Sequence, residues 1–128
     1  MIYVDTSVLL ARLLAEGQAP PDTFWGESLV SSRLAEYETW NRLHARRLEG
    51  SHGEAARALL GRLALAELAP QVLARALEPF PSPMRTLDAL HLATADFLRE
   101  RDPAIRVATY DERLAGAARK MKFPVIRP

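Results

Sequence analysis

Short apolar segments alternate with amphipathic ones along the whole chain. The first, Ile2–Val4, is β-prone, ends at Asp5 and is followed by leucines at helical spacing as far as Leu14. A brief apolar run that ends in capping residues is typical of a buried strand that leads into a helix. Further short β-prone runs follow at residues 29–32, 65–68, 105–109 and 124–126.

Helical periodicity fills the intervals between these predicted strands. It covers residues 34–48, 55–63, 71–77, 86–101 and 114–121, with a predicted turn at 50–53 and a proline-rich loop at 79–83. On the helix that begins at Thr86, the residues expected to face the core are Leu87, Leu90, Ala93, Thr94, Phe97 and Leu98. The order β-α-β-α-α-β-α-α-β-α-β predicts an α/β fold with a short central parallel sheet and helices on both faces. Because no repeat or linker interrupts it, we predict a single domain over residues 1–128.

The amino-acid composition excludes several kinds of functional site. The 128 residues include no Cys, which excludes a disulfide scaffold, a Cys-ligated zinc site and thiol catalysis. The 17 Lys and Arg balance 16 Asp and Glu, so the chain does not coat nucleic acid by net charge alone. Of those 17 cations 15 are Arg, which suits phosphate binding but also follows from a GC-rich genome. Because neither a long apolar run nor a signal peptide is visible, we expect a cytoplasmic protein with no membrane contact.

Four acidic residues stand where predicted strands end or the following helices begin. Asp5 directly follows the first strand, and Asp111 lies two residues beyond Thr109 at the end of the fourth. Glu38 lies in the helix after the second strand, and Asp88 lies near the start of the helix at 86. Ligands of open parallel sheets bind outside the carboxyl ends of the strands. We therefore expect the four carboxylates to converge at one edge of the sheet.

Two interpretations of these acids are open on spacing alone. Clustered carboxylates repel one another, and a hard divalent cation such as Mg²⁺ relieves that repulsion and supports phosphodiester chemistry. Alternatively, Asp5 and Asp111 are helix N-caps, Glu38 pairs with Arg42 on a solvated face, and Asp88 favours a helix dipole.

Four segments carry a resemblance to a known family. They are IYVDTS at 2–7, SRLAEYE at 32–38, RTLDALHLATA at 85–95 and TYDERL at 109–114. In this order they resemble the PIN-domain ribonucleases, and within them the VapC toxins of bacterial VapBC toxin–antitoxin pairs. The resemblance spans essentially the whole chain, and the third segment is the most specific. The chain departs from the family before the last strand, where Lys122-Phe123-Pro124 replaces a frequent glycine, which concerns a turn and no catalytic residue.

The resemblance implies a PIN-like three-layer α/β/α sandwich and a metal-dependent endoribonuclease that leaves a 5′-phosphate and a 3′-hydroxyl. It assigns catalysis and the binding of Mg²⁺ or Mn²⁺ to the four acids Asp5, Glu38, Asp88 and Asp111. Glu36 is an alternative position for the second acid. The resemblance also implies an RNA substrate, with tRNA or rRNA expected, and a cognate antitoxin.

Several other residues receive expected roles. Thr6, Ser7 and Thr109 would orient the carboxylates or a water. Contacts with RNA or with an acidic antitoxin tail are expected at Arg42, Arg46 and Arg85, and the alternative for the first two is a solvated helix face.

Histidine and aromatic residues are expected to be structural. His91 is expected to make a structural hydrogen bond rather than act as a base, and His44 and His52 to lie at the surface. Phe24, Trp25 and Trp40 are assigned to the core or a dimer interface, with stacking on a flipped-out base as the alternative. The apolar hairpin at 34–63 predicts a homodimer.

Two other classes of protein also place acids at the ends of strands. A receiver domain needs paired acids after the first strand and a Lys after the last, and a haloacid-dehalogenase-type phosphatase needs Asp-x-Asp. Neither pattern is present. A PIN nuclease of RNA maturation outside a toxin–antitoxin pair, and a degenerate PIN domain that only binds a partner, remain as alternatives.

Overall fold

The structure is a computed structural model that describes residues 1–15 and 17–128. Within those residues five strands are present: β1 (Ile2–Val4), β2 (Leu29–Ser32), β3 (Ala64–Ala66), β4 (Arg106–Ala108) and β5 (Val125–Ile126). The helices are α1 (Thr6–Leu14), α2 (Arg33–Ala45), α3 (Glu49–Leu60), α4 (Pro70–Ala76), α5 (Thr86–Arg99) and α6 (Glu112–Lys120), with a 3-10 helix at Asp22–Gly26.

The strand order determines where a site can form. All pairings are parallel, and the order across the sheet is β3-β2-β1-β4-β5. The chain moves outward from β1 to β3 and then returns to the other side of β1 for β4, so the order reverses between β1 and β4. Ligand crevices of open α/β sheets lie at such a reversal. Since Val4 is paired with Ala108, the residues that follow each strand emerge side by side.

Successive side chains of β1 point to opposite faces of the sheet. A hydrophobic core therefore lies on each face, between the sheet and the helices, and the molecule has three layers. On one face Ile2 and Val4 pack with residues of α1, the 3-10 helix and α3, including Val8, Leu9, Phe24, Trp25, Leu59 and Leu60. On the other face Tyr3 packs with residues of α5 and α6, including Leu92, Ala95, Leu114 and Ala117. The predicted α/β/α sandwich is confirmed, and so is the core position of Phe24 and Trp25.

The predicted turn at residues 50–53 is wrong, because these residues form the first turns of α3. The chain reverses earlier, at Arg47, which has a φ of 55°. The backbone amide of Leu48 then closes onto the carbonyl of Leu43 at 2.8 Å. Gly53 faces the ring of Trp40, and a Cβ there would lie 3.4 Å from that ring. That is an ordinary van der Waals distance, so Gly53 lies in the packed interface of α3 with α2 and does not mark a turn.

The predicted core face of α5 is confirmed at Ala93 and Thr94, which are buried, but it is wrong at Leu87. Leu87 is 45% exposed, whereas the residues buried on this helix are His91, Leu92, Ala93, Thr94 and Ala95. The apolar periodicity is weakened here because a polar His91 occupies a core position. The start of the helix at Thr86 is as predicted, while β3 begins one residue earlier than expected.

The predicted apolar hairpin of α2 and α3 buries most of its leucines inside the protomer, among them Leu34, Leu43, Leu59 and Leu60. Exposed leucines lie instead on α4 and at the start of α5, at Leu73 and Leu87, and just beyond α4 at Leu77, while Tyr37 is the large exposed side chain on α2. The homodimer therefore stays a prediction. No helix in the described ranges has the length and apolarity needed to cross a bilayer.

Candidate active site

Asp5 lies where β1 ends and α1 begins, and its side chain is anchored on one oxygen. Oδ2 accepts hydrogen bonds from the hydroxyls of Ser7 at 2.7 Å and Thr109 at 2.8 Å, with a longer contact to the Ser7 amide at 3.4 Å. The residue is the N-cap of α1 and only 6% of it is exposed. The capping role and the predicted site position therefore coincide in one carboxylate.

Backbone amides fix the direction of both hydroxyls. The amide of Tyr110 donates to the Ser7 oxygen at 3.0 Å, and the amide of Asp111 donates to the Thr109 oxygen at 2.9 Å. Since each hydroxyl accepts from the backbone, its own hydrogen is left for Asp5. The chain after β4 is thereby tied to the chain after β1, and the predicted orienting role of Ser7 and Thr109 has a structural basis.

Glu38 is half-buried on α2 and is also held through one oxygen. Oε1 accepts from the Thr6 hydroxyl at 2.8 Å and lies 2.6 Å from Nε2 of His91. Burial alone would raise the pKa of Glu38, but the hydrogen bond and charge of His91, together with Thr6, lower it below the ordinary value. Glu38 is therefore an ionised carboxylate. The alternative acid, Glu36, lies on the surface and bonds Arg33.

His91 connects Glu38 to the centre of the sheet. It is 1% exposed, its Nδ1 lies 2.7 Å from the Tyr3 hydroxyl, and its Nε2 lies 3.9 Å from Oδ1 of Asp5. Burial alone would lower the pKa of His91, but Glu38 and Asp5 reverse that effect and raise it. Burial, then the charge of Asp5, raises the pKa of the Tyr3 phenol, so Tyr3 is neutral. The predicted hydrogen bond of His91 is present, and its partner Glu38 was not foreseen.

Asp88 and Asp111 complete the acidic group. Asp88 lies in the first turn of α5, where burial, followed by the charges of Asp111 and Asp5, raises its pKa. Asp111 is exposed and caps α6, with Oδ1 accepting from the amides of Arg113 at 2.9 Å and Leu114 at 3.2 Å. The charges of Asp111 and Asp5 thus act on Asp88, while the joint role of the four acids as one site stays a prediction.

Three of the acids have one carboxylate oxygen that is not occupied by a hydrogen bond from the described part of the chain and is available to a cation. Asp5, Glu38 and Asp111 each accept hydrogen bonds through one oxygen, and their other oxygens receive none from any described residue. Carboxylate oxygens are the donors that Mg²⁺ and Mn²⁺ prefer, so the donor set fits such an ion. The described residues contain no group of three or more His, Asp or Glu side chains already arranged to hold a metal ion.

Cationic side chains line two cavities near the acids. Arg42 lines a cavity of about 340 Å³ with Ser7, Tyr110 and Asp111. A second groove, of about 570 Å³, contains Arg85 together with two cations that the sequence did not single out, Arg113 and Lys120. Arg46 ends α2 and is exposed, and it lines neither of these cavities.

Two of these arginines oppose the local helix dipole. Arg85 is the N-cap of α5, and Arg113 lies in the first turn of α6. A positive charge at a helix N-terminus is unfavourable, so neither arginine stabilises the dipole of its own helix. The charge of Arg85 does lower the pKa of Asp88, against the stronger influences that raise it.

Comparisons with known proteins show which family this chain resembles. The family model described as PIN domain matches residues 2–120. Ribonuclease VapC47 of Mycobacterium tuberculosis is 33% identical over 135 residues, which cover 100% of this chain and 97% of the relative. Ribonuclease VapC35 of the same species is 31% identical over 134 residues, with the same coverage. A solved toxin-antitoxin complex from Klebsiella pneumoniae shares the fold, with a TM-score of 0.66, 16% identity, and coverage of 100% of this chain and 98% of the other.

Proposed function

This chain belongs to the PIN domain family, and from that membership we propose that it is a VapC-type endoribonuclease that depends on Mg²⁺ or Mn²⁺ and is neutralised by a cognate antitoxin. Full-length similarity to proteins named Ribonuclease VapC supports the RNA substrate and the toxin class. A structural neighbour described as a toxin-antitoxin complex supports the antitoxin.

The observation that carries the proposal is the one-sided anchoring of the acids at the sheet reversal. Ser7 and Thr109 hold Oδ2 of Asp5, while Thr6 and His91 hold Oε1 of Glu38. Each carboxylate is thereby oriented without its second oxygen being used. Carboxylates that bind metal ions are typically held in this way by hydrogen bonds from neighbouring groups.

Asp5, Glu38 and Asp88 would hold the divalent cation, with Asp111 placed to bind it directly or through water. When bound, the ion would lower the pKa of a water and neutralise charge on the phosphate. The protein residues supply orientation: Ser7 and Thr109 fix Asp5, and Asp88 stays close to Asp5 despite their repulsion. A bound cation removes that repulsion, so metal binding and ionisation of Asp88 would favour each other.

The RNA backbone would cross the acids between the two basic regions. Arg42 would contact phosphates on one side, and Arg85, Arg113 and Lys120 on the other. The same arginines could receive acidic side chains of an antitoxin, which would then compete with RNA. Unpaired segments of tRNA or rRNA are the expected targets, because unstacked bases and an accessible backbone suit an open cleft.

An Asp5→Asn substitution tests the nuclease assignment. The amide keeps an oxygen that can accept from Ser7 and Thr109 but removes the charge that a cation requires. Cleavage of total RNA with Mn²⁺ should be abolished, while the circular dichroism spectrum stays that of the parent. The matched control is Asp22→Asn, because Asp22 is 91% exposed on its side chain and lies in the 3-10 helix. Cleavage by Asp5→Asn at the parental rate would end the proposal.

Co-expression tests the antitoxin assignment. A small reading frame next to this gene should encode a protein that copurifies with the chain and suppresses cleavage. Normal growth of cells that express the active chain alone would instead favour a role in RNA maturation.

A further inference from the structure

A buried chain of hydrogen bonds joins the sheet core to the acids, and His91 is at its centre. We propose that His91, supported by Tyr3, is a positioning residue that fixes the carboxylate of Glu38 for cation binding. The inference deepens the proposed function and rests on it. His91 itself contacts neither the phosphate nor the reacting water in this proposal, and it acts through Glu38.

Both ring nitrogens of His91 are used. Nδ1 lies 2.7 Å from the Tyr3 hydroxyl, and Nε2 lies 2.6 Å from Oε1 of Glu38. The ordinary pKa values of the two groups place the shared proton on the imidazole, so Nε2 donates to Glu38. The Tyr3 ring meets the imidazole edge-on, with a centroid distance of 5.9 Å and an interplanar angle of 72°. The ring can therefore neither flip nor tilt without breaking a buried bond.

Glu38 needs such a support more than the other acids do. Its side chain is long, and the terminal carboxylate torsion of Glu has a broad, soft energy profile. The Thr6 hydroxyl donates to the same oxygen at 2.8 Å and lies 3.2 Å from Nε2, so three groups form a closed triangle. Two donors on Oε1 fix both the position and the plane of the carboxylate. With His91 removed, a single donor would remain and the carboxylate would rotate.

The same histidine also relates Glu38 to the other acids. His91 follows Asp88 by one turn on α5, so anchoring His91 to Tyr3 sets the rotation of the helix that carries Asp88. Its Nε2 is 3.9 Å from Oδ1 of Asp5. One of its two partners is a proposed metal ligand.

The proposal is tested with His91→Leu and His91→Gln, compared by calorimetric titration of the purified metal-free protein with Mn²⁺ and by RNA cleavage. Leucine removes the donor, while the amide of glutamine can reach Glu38 from the same helix position. His91→Leu should weaken Mn²⁺ affinity and lower kcat by about 10- to 100-fold, as loss of a group that orients a metal ligand typically does. KM for RNA should stay within the parental range, and His91→Gln should recover most of both losses. The matched control, His44→Gln, alters an exposed histidine of α2 and should behave as the parent.

Two further variants keep the test decisive. Tyr3→Phe retains the buried ring but removes the Nδ1 partner, so it reports on the same network if His91→Leu does not fold, and it should weaken Mn²⁺ binding in the same direction. In a Glu38→Gln background, His91→Leu should cause little additional loss, because the two residues act as a unit. Parental Mn²⁺ affinity in folded His91→Leu or Tyr3→Phe, or full additivity with Glu38→Gln, would overturn the proposal. A parent that binds Mn²⁺ but cleaves no RNA would refute the proposed function alone, because the Mn²⁺ affinities would still decide the role of His91.

Discussion

The hydroxyl of Thr109 donates a 2.8 Å hydrogen bond to Oδ2 of Asp5, although 104 positions separate the two residues in the chain. The bond spans the two strands between which the sheet order reverses, and it is buried on both sides. Thr109 also accepts from the amide of Asp111 at 2.9 Å. One small side chain therefore sets the relative positions of the loops that carry Asp5 and Asp111.

We predict that Thr109→Val lowers kcat for RNA cleavage by about 10- to 100-fold, the usual effect of removing a group that orients a metal ligand. Valine has nearly the same shape, so the core should stay packed. Loss of the two hydrogen bonds should destabilise the fold by about 1–3 kcal/mol. Single-turnover cleavage and urea unfolding measure the two effects separately.

Thr39→Val is the matched control for this variant. Thr39 is equally buried, but its hydroxyl has no hydrogen-bond partner among the described residues. Removing an unpaired buried hydroxyl should leave cleavage unchanged and stabilise the fold by about 1 kcal/mol. Equal cleavage by parent and Thr109→Val would show that the hydroxyl does not orient Asp5.

The sequence predicted the architecture because the apolar runs were short and each ended in a capping residue. Asp5 and Asp111 were visible for the same reason: both cap the helices that follow strands at the centre of the sheet. The turn between α2 and α3 was misplaced because glycine and serine composition favoured residues 50–53. The positive φ is instead adopted by Arg47.

The hydroxyls that hold the acids, those of Thr6, Ser7 and Thr109, were expected from the sequence, but the support from His91 and the grouping of the cations were not. His91 is adjacent to no acid in the chain, and its bond to Glu38 depends on how the fold places α5 relative to α2. Arg113 and Lys120 looked like ordinary helix-surface charges, and only the packing of α6 beside Arg85 brings them together. Such pairings depend on tertiary geometry, which periodicity does not encode.

The raised pKa of Asp88 leads to a prediction about stability. Burial, followed by the charges of Asp111 and Asp5, makes the ionised form less favourable in the folded protein than in the unfolded chain. This cost is present at pH values above the folded pKa and disappears as the pH falls below the unfolded value. With metal ions removed by a chelator, Asp88→Asn should therefore raise Tm at pH 7 by about 1–3 °C, and this gain should vanish near pH 3.

Addition of Mn²⁺ should make the parent more stable than Asp88→Asn. The parent should gain thermal stability on binding the ion, since a ligand that binds only the folded state stabilises it. Asp88→Asn should gain little. A variant with the same Mn²⁺-dependent increase in Tm as the parent would argue against Asp88 as a ligand.

Asp96 provides a prediction that concerns stability alone. It accepts hydrogen bonds from Arg75 of α4 at 2.6 Å and from Arg99 of α5, and Arg99 also donates to the Met121 carbonyl beyond α6 at 2.7 Å. Burial alone would raise the pKa of Asp96, but the two guanidinium groups hold it below the ordinary value. Its contribution to stability is therefore present above the unfolded pKa and is lost as the pH falls through the folded one.

Asp96→Asn should destabilise the protein at pH 7 by about 1–2 kcal/mol, after allowance for partial solvent screening. The difference from the parent should shrink below about pH 4, where the unfolded carboxyl takes up its proton. Specific activity of the folded variant should stay parental. Urea unfolding across pH measures the effect, and the exposed Asp22→Asn should change stability by less than about 0.5 kcal/mol. A pH-independent loss in Asp96→Asn would show that the ion pairs are not its cause.

The last prediction concerns the two arginines at helix N-termini. If Arg85 and Arg113 are retained to bind phosphates, the double substitution Arg85→Ala/Arg113→Ala should raise the Kd for a single-stranded RNA while leaving Tm unchanged or slightly higher. We expect no fall in Tm because both positive charges lie at helix N-termini, where they oppose the helix dipole. Each lost phosphate contact should reduce the slope of log K against log salt by about 0.7, so the double variant should lose about 1.4.

The control for this double variant is Arg101→Ala. Arg101 follows the C-terminal end of α5, whereas Asp88 lies at the N-terminal end of the same helix. A Kd and salt slope equal to those of the parent would remove these arginines from the RNA path. A fall in Tm would instead give them a structural role that the helix dipole argues against.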